Sequence, residues 1–208
     1  MNEIRSTTPS TRTRLLTAAL SLIRRRGFAA TSVDELCAAS GVTKGAFFHH
    51  FRSKEDLGVA AARYWSEITG TLFAAAAYHD LPDPLERIYG YLDLRATLAA
   101  GGVPDFTCLA GTLLQETYDC HPPVGEASYA SITGHAATLE PDFQAAIDLY
   151  GIMGCPSARS LALHTQTVLQ GAFILAKGKG DAEPVHDALD HLRRYLNFLF
   201  PQPKEGSP

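Results

Sequence analysis

The sequence predicts an all-α protein, and two observations carry that prediction. Apolar residues recur at helical spacing along the chain of 208 residues, and no segment shows the alternation of a half-buried strand. Gly and Pro residues interrupt the helical pattern where helices are expected to end. We expect an N-terminal three-helix head containing a helix-turn-helix, followed by a larger six-helix domain.

The first predicted helix of the head covers Arg12 to Arg26. Its apolar residues follow the spacing of an amphipathic helix, and these are Leu15, Leu16, Ala19, Leu22 and Ile23. Gly27 follows the last turn, where a glycine commonly ends a helix. We expect Phe28 to fold back onto the core of the head.

Residues 31–50 predict two short helices that flank a tight turn. Thr31 or Ser32 can cap the first, since each has an acidic residue three positions later. Gly41 breaks that helix because it can adopt a positive φ, and Thr43 caps the next. Helix, short glycine-containing turn and helix make up a helix-turn-helix.

The second of these helices matches the dimensions of DNA. Eight residues from Thr43 to His50 span about 12 Å, close to the width of the major groove. Phe47 and Phe51 are expected to face inward and to anchor it. The outer side is then left with Thr43, Lys44, Ala46, Phe48 and His50. A glycine at position 45 is unfavourable inside a helix, and close approach of a phosphate would explain it. The alternative is an ordinary surface helix with incidental aromatic residues.

Charge is distributed unevenly along the chain. Residues 1–54 hold nine Lys and Arg against three acids, a net charge of +6, whereas the whole chain carries −4 and residues 55–208 therefore −10. A basic head on an acidic body is typical of a protein that holds nucleic acid at one end. Arg5 or Arg12 is a candidate for a minor-groove contact.

In these features the run AALSLIRRRGFAATSVDELCAASGVTKGAFFHHFRSKEDL resembles the N-terminal domain of tetracycline-repressor (TetR) family regulators. The resemblance covers roughly residues 10–57. It implies that Thr43, Lys44 and Ala46 face bases. It places Thr31, Phe48, His50 and Lys54 near the sugar-phosphate backbone. Position 48 is usually tyrosine in such sequences. Because Phe48 lacks the hydroxyl, we expect weaker phosphate anchoring or compensation by His49 or His50.

Beyond the head we expect six helices. Their predicted ranges are 53–77, 83–99, 105–118, a segment from about 124 to 150 with a kink or break at Pro141, 157–176 and 183–200. The corresponding domains are a flexible arm at 1–10, the head at 11–54, a ligand-binding and dimerisation domain at 55–201, and a flexible tail at 202–208. The resemblance implies a homodimer formed by the last two helices. The candidate interface residues are Val168, Gly171, Ala172, Leu175, Leu189, Leu192, Leu196 and Leu199.

The resemblance also implies a pocket for a small-molecule effector of unknown identity. On one face of the predicted sixth helix we expect a polar strip of Cys108, Thr112 and Gln115, with Glu116 beside it. Tyr89 and Phe173 are further candidates for the lining. We expect a ligand-responsive repressor that leaves a palindromic operator when the effector binds. The alternatives are a ligand-independent regulator or activator, and a thiol-based electrophile sensor acting through Cys108 or Cys120.

Other function classes lack their signatures. No run of 18 apolar residues predicts a membrane span, and the N-terminal residues lack the apolar core of a signal peptide, so we expect a cytoplasmic protein. Four irregularly spaced cysteines do not suggest disulfides. Cys120-His121 alone is weak evidence for a metal site. Without a nucleophile elbow, phosphate loop or HExxH motif, we expect neither catalysis nor a cofactor.

Overall fold

The computed structural model describes residues 9–151, 154 and 156–200. Every regular element in that part of the chain is helical, which confirms the all-α prediction. In chain order the helices are α1 (Thr11–Arg26), α2 (Val33–Ser40), α3 (Lys44–His50), α4 (Lys54–Ala74), α5 (Pro84–Leu98), α6 (Val103–Phe106), α7 (Leu109–Thr117), α8 (Pro122–Ala137), α9 (Glu140–Tyr150), α10 (Ala158–Lys179) and α11 (Glu183–Leu199), with a 3₁₀ turn at Ala77–Asp80. Most of the predicted arm, Arg5, Cys155 and the predicted tail lie outside the described residues.

The described residues form two compact units. Of the described residues, the first comprises 9–65 and Leu109–Tyr129, and the second comprises Ser66–Cys108 and those between 130 and 200. The first unit therefore contains α7 and part of α8 in addition to the three N-terminal helices and the start of α4. The predicted domain boundary after residue 54 stays a prediction, since the units group residues by packing and not by role.

Helix caps explain where the helices of the first unit begin and end. The Ser10 side chain accepts a hydrogen bond from the Thr13 N–H, and three arginines occupy the last turn of α1, where cations favour the helix dipole. Ser32, and not Thr31, caps α2 in a reciprocal capping box with Glu35. Phe28 is 2 % exposed, which confirms that it folds back onto the core.

Two predicted helices are each divided in the structure. The predicted helix at 105–118 is instead α6 and α7, separated at Thr107, whose backbone is extended. Thr107 is fully buried, so packing and not local sequence sets this break. The predicted segment from about 124 to 150 is α8 and α9, with Pro141 in the first turn of α9, where proline is tolerated.

The core of the second unit is built from α5, α9, α10 and α11. Its fully buried side chains include Leu85, Phe143, Leu169, Leu196 and Phe200. On α11, charged residues occupy the opposite side, as expected for an amphipathic helix. Among the described residues no helix is both long and apolar enough to cross a membrane.

This core corrects part of the predicted dimer interface. Four of the proposed residues are at most 4 % exposed within the single chain, namely Ala172, Leu189, Leu192 and Leu196. They have no surface left for a partner to cover. Helical spacing alone had not distinguished an internal stripe from an interface. Val168 and Leu199 also pack partly against the core, whereas Leu175 is 65 % exposed and Gly171 is exposed.

Candidate DNA-binding surface

Helix α3 is held by two phenylalanines on its inner side. Phe47 is fully buried and Phe51 is 2 % exposed, with their ring centroids 5.7 Å apart. Both were predicted to face inward, and the structure confirms it. Because a helix turns about 100° per residue, burying Phe47 directs Phe48 outward, and Phe48 is 51 % exposed.

The turn before α3 is fixed by backbone and side-chain hydrogen bonds. Gly41 adopts the left-handed conformation (φ 63°, ψ 38°), and Thr43 caps α3 by accepting from the Ala46 N–H at 3.2 Å. From α1, an Arg14 guanidinium nitrogen donates to the carbonyls of Ser40 (2.5 Å) and Gly41 (2.9 Å). Arg14 thus satisfies carbonyls at the end of α2 and ties α1 to the turn. No local pattern in the sequence predicted this role.

The outer side of α3 is exposed and basic. Lys44, Gly45, Phe48 and His49 are exposed, and Ala46 and His50 are partly so. A Cβ added at Gly45 would meet no atom within 4 Å. The protein's own packing therefore supplies no reason for a glycine here. A surface that approaches α3 from outside does supply one.

Acidic residues of α2 pair with Lys44 of α3 and with Arg26 of α1. Asp34 lies 2.9 Å from the Lys44 ammonium, and Glu35 lies 2.5 Å from the Arg26 guanidinium. The hydrogen bond that Lys44 donates to Asp34 raises the pKa of Lys44. The N–H and hydroxyl of Ser32, together with Arg26, lower the pKa of Glu35. All four side chains are substantially exposed, so a phosphate can compete for the two cations.

Two predicted phosphate contacts are engaged within the protein. Thr31 is 1 % exposed and its hydroxyl donates to the Gly27 carbonyl at 2.7 Å. The Lys54 ammonium donates to the Phe28 carbonyl at 3.1 Å and lies 4.5 Å from the centre of the Phe28 ring. Their roles at a DNA backbone stay predictions, and Lys54 would have to leave Phe28 to reach a phosphate.

Comparison with known proteins matches this helical arrangement. Residues 15–61 match the family model described as bacterial regulatory proteins, tetR family. The chain is 27% identical over 192 residues to the HTH-type transcriptional repressor NemR of Escherichia coli strain K12, covering 89% of this chain and 94% of that protein. It is 40% identical over 52 residues to the uncharacterized HTH-type transcriptional regulator YerO of Bacillus subtilis, covering 25% of this chain and 18% of that protein.

A solved structure extends the likeness over the whole fold. A TetR transcriptional regulator from Chloroflexus aurantiacus superimposes with a TM-score of 0.77 at 29% identity, covering 90% of this chain and 94% of that one. The chain belongs to the tetR family. This TetR-family protein is a DNA-binding transcriptional regulator and not an enzyme. The helix-turn-helix at α2 and α3 lies within the matched residues.

The structure does not bring the predicted effector residues together as one polar strip. Cys108 precedes α7 instead of lying in the first turn of a helix, and it belongs to the second unit. In the first unit, Thr112 is 7% exposed, whereas Gln115 is exposed and donates to the Gly111 carbonyl at 3.0 Å. Thr112 and Gln115 therefore do not share one exposed face of α7, and the role of these residues toward an effector stays a prediction.

Three further candidates have other partners. The Glu116 carboxylate accepts from the Ala29 N–H at 2.8 Å, between α1 and α2, a contact across 87 residues that no local signal predicts. The Tyr89 hydroxyl donates to the Asn197 side-chain carbonyl on α11. Phe173 packs in the core of the second unit. Whether any of these residues meets an effector stays a prediction.

We predict that Gly45→Ala separates stability from DNA binding. Alanine favours a helix over glycine by up to about 1 kcal/mol, and no atom obstructs its Cβ, so the melting temperature should rise. Affinity for operator DNA should fall, because the methyl group keeps the backbone of α3 from the DNA. Thermal unfolding and fluorescence anisotropy measure the two effects. Equal or tighter DNA binding by the variant contradicts the role given to Gly45.

We predict that Asp34→Asn tightens DNA binding. The substitution removes the carboxylate that holds Lys44 and a negative charge near the approaching phosphates. Exposed ion pairs are weak, so the gain should be about twofold to fivefold at low salt and smaller at high salt. Asp119→Asn removes the same charge outside the helix-turn-helix and is the matched control. A gain of the same size in both variants would show an effect of net charge alone.

Proposed function

We propose that this chain is a ligand-responsive repressor that binds a palindromic operator as a homodimer and leaves it when a small molecule binds. The observation that carries this proposal is the outer side of α3. Lys44, Gly45 and Phe48 are exposed there, while Phe47 anchors the helix on its buried side. The sign of regulation is supported by NemR, which is named a repressor and is similar over most of both chains.

Helix α3 is the element proposed to enter the major groove. Its seven residues span about 10 Å at 1.5 Å per residue, which fits a groove about 12 Å wide. Lys44 and Ala46 lie at the N-terminal end of α3, from which recognition helices commonly contact base edges. His49 and His50 lie in its last turn. They are candidates to contact the phosphate that Phe48 cannot bind.

The outer faces of α10 and α11 support the proposed homodimer. Exposed apolar side chains lie there, with exposures of 49% for Ile174, 65% for Leu175, 37% for Tyr195 and 86% for Phe198. Exposed large apolar side chains on neighbouring helices commonly mark a protein interface. This set replaces the buried residues of the predicted stripe and keeps Leu175 and Gly171. A dimer also doubles the number of bases read, because two-fold symmetry pairs two half-sites.

The decisive experiment measures binding of the protein to the DNA upstream of its own gene. Fluorescence anisotropy at two salt concentrations reports the binding. We expect saturable, salt-sensitive binding with two protomers per site. Lys44→Ala should weaken specific binding by about tenfold or more, the loss expected for a base contact. Arg159→Ala removes an exposed positive charge in the second unit and should have little effect. Failure of the wild-type protein to prefer any upstream site over unrelated DNA contradicts the proposal.

We predict that Leu175→Glu and Phe198→Glu each convert the dimer into a monomer. Both side chains are exposed in the single chain, so the substitutions do not disturb the core, while a buried unpaired carboxylate is unfavourable in an interface. Light scattering after size-exclusion chromatography reports the mass. Leu149→Glu, at an apolar residue of α9 that is 63% exposed, is the control. Identical masses for all three variants would refute the proposed interface.

A thiol-sensing form of the same function has its own support. Cys120 is exposed, and its Sγ donates to the Glu116 carbonyl at 3.1 Å. Glu116 in turn holds the Ala29 N–H between α1 and α2. Modification of Cys120 would therefore act close to the helix-turn-helix. If thiols sense electrophiles, replacing Cys108 and Cys120 with Ser should abolish release of DNA by a quinone. Undiminished release from the double variant would exclude this mechanism.

A further inference from the structure

A cluster of polar side chains joins three helices of the second unit. We call it the Arg95 cluster, and it consists of Tyr91 and Arg95 of α5, His135 of α8 and Gln166 of α10. The Tyr91 hydroxyl accepts from Arg95 Nε at 2.8 Å and from Gln166 Nε2 at 3.0 Å. His135 Nε2 lies 2.8 Å from a terminal Arg95 nitrogen and 3.0 Å from the Tyr91 hydroxyl.

The hydrogen bonds fix the protonation of His135. An arginine can only donate, so Nε2 must be the unprotonated nitrogen and the neutral ring carries its proton on Nδ1. Burial and the charge of Arg95 lower the pKa of His135 to about 3. The imidazole is therefore neutral near pH 7. Arg95 then supplies the only charge of the cluster.

The cluster contains more donors than acceptors. The Tyr91 oxygen already accepts two hydrogen bonds, so it can only donate its own hydrogen. The acceptor within reach is His135 Nε2, whose single lone pair also faces Arg95. Arg95 has five N–H donors, and the contacts with Tyr91 and His135 use two of them. No other acceptor for the guanidinium occurs among the described residues. An added acceptor would satisfy the Arg95 donors that the described residues do not use.

No carboxylate of the described residues neutralises the charge of Arg95. In the part of the chain that the structure describes, no carboxylate lies within 4.0 Å of its guanidinium. Two other arginines of the same unit are neutralised, since Arg87 pairs with Asp142 at 2.7 Å and Arg193 pairs with Asp93. Arg95 instead lies over aromatic rings, 4.2 Å from the centre of Phe73 and 5.2 Å from that of Tyr91.

A ligand can reach this cluster. Arg95 and His135 are only partly buried, so some of their surface remains accessible. Gly70 lies one helical turn before Phe73 on α4, and a Cβ placed there would meet no atom within 4 Å. Gly134 directly precedes His135 on α8, and a Cβ placed there would also meet no atom within 4 Å. Space is therefore open beside α4 and α8 at these two positions, whereas Phe73 itself is buried.

We propose that the Arg95 cluster binds the carboxylate of a small organic monoanion, which reaches it through the accessible surface of Arg95 and His135. Arginine donates two parallel hydrogen bonds to a carboxylate and matches its planar shape. A single positive charge beside a neutral imidazole suits one negative charge and not a phosphate dianion. This inference rests on the proposed function in one respect, because it assigns the chemical class of the effector.

Isothermal titration calorimetry of the full-length protein near neutral pH tests the inference. The probes are benzoate, phenylacetate and octanoate, each compared with its uncharged primary amide. We expect at least one acid to bind with about tenfold or greater preference over its amide, as a charge-assisted hydrogen bond predicts. Arg95→Gln should remove that preference while leaving the affinity for the amide unchanged.

Arg193→Gln is the matched control. Arg193 also lies over a tyrosine ring, at 4.9 Å from the centre of Tyr89, but it has its own carboxylate. This variant should keep the preference for the acid. The inference is overturned if no acid binds, if acid and amide bind equally, or if Arg95→Gln binds the acid as wild type does. The comparison of acid with amide is made on the wild-type protein, so it does not depend on whether a variant folds.

Release of DNA is measured separately, so the two proposals can fail independently. An acid that binds through Arg95 without changing operator affinity supports the site and contradicts the ligand-responsive part of the proposed function. If the protein binds its operator but none of the acids binds the protein, the DNA-binding part of the proposed function stands and the Arg95 site is overturned. Binding of an acid that also lowers operator affinity, and loss of both effects in Arg95→Gln, supports the two together.

Discussion

The burial of Phe47 is the constraint on which the DNA-binding surface depends. A seven-residue helix is too short to be stable alone in water, so α3 forms because Phe47 and Phe51 anchor it to α1 and α2. Complete burial of Phe47 also sets the rotation of α3 about its own axis. The exposed positions Lys44, Gly45 and Phe48 follow from that rotation. The same contact that stabilises the helix thus selects the face that can meet DNA.

Around this anchor, side chains hold the helix-turn-helix in one geometry. Arg14 of α1 binds the carbonyls at the end of α2, and Glu116 of α7 holds the Ala29 N–H before α2 begins. These contacts join segments far apart in the sequence, so the position of α3 is not a local property. The ion pair between Asp34 and Lys44 holds the lysine against α2, and a phosphate or a base would have to compete with Asp34 for it.

The second unit shows a different balance of apolar and polar packing. Helix α11 directs Leu189, Leu192 and Leu196 into its own core, and it leaves Phe198 exposed on the opposite side. A polar cluster around Arg95 interrupts the apolar packing among α5, α8 and α10. A charged group that is partly buried without a carboxylate costs desolvation energy, and a bound anion would offset that cost. A protein interface and an effector site can therefore lie in the same unit without sharing residues.

The sequence by itself determined the helical fold, the helix-turn-helix and the outward face of α3. Each depends on neighbouring residues, such as the Thr43 cap, the left-handed Gly41 and the spacing of Phe47 and Phe51. Only the tertiary structure decided the break at Thr107, the burial of the leucine stripe on α11 and the Arg95 cluster. Helical periodicity shows that a side chain is apolar on one face but not whether that face meets its own core or a partner. Contacts such as Tyr91 with Gln166 join distant helices, and no local spacing encodes them.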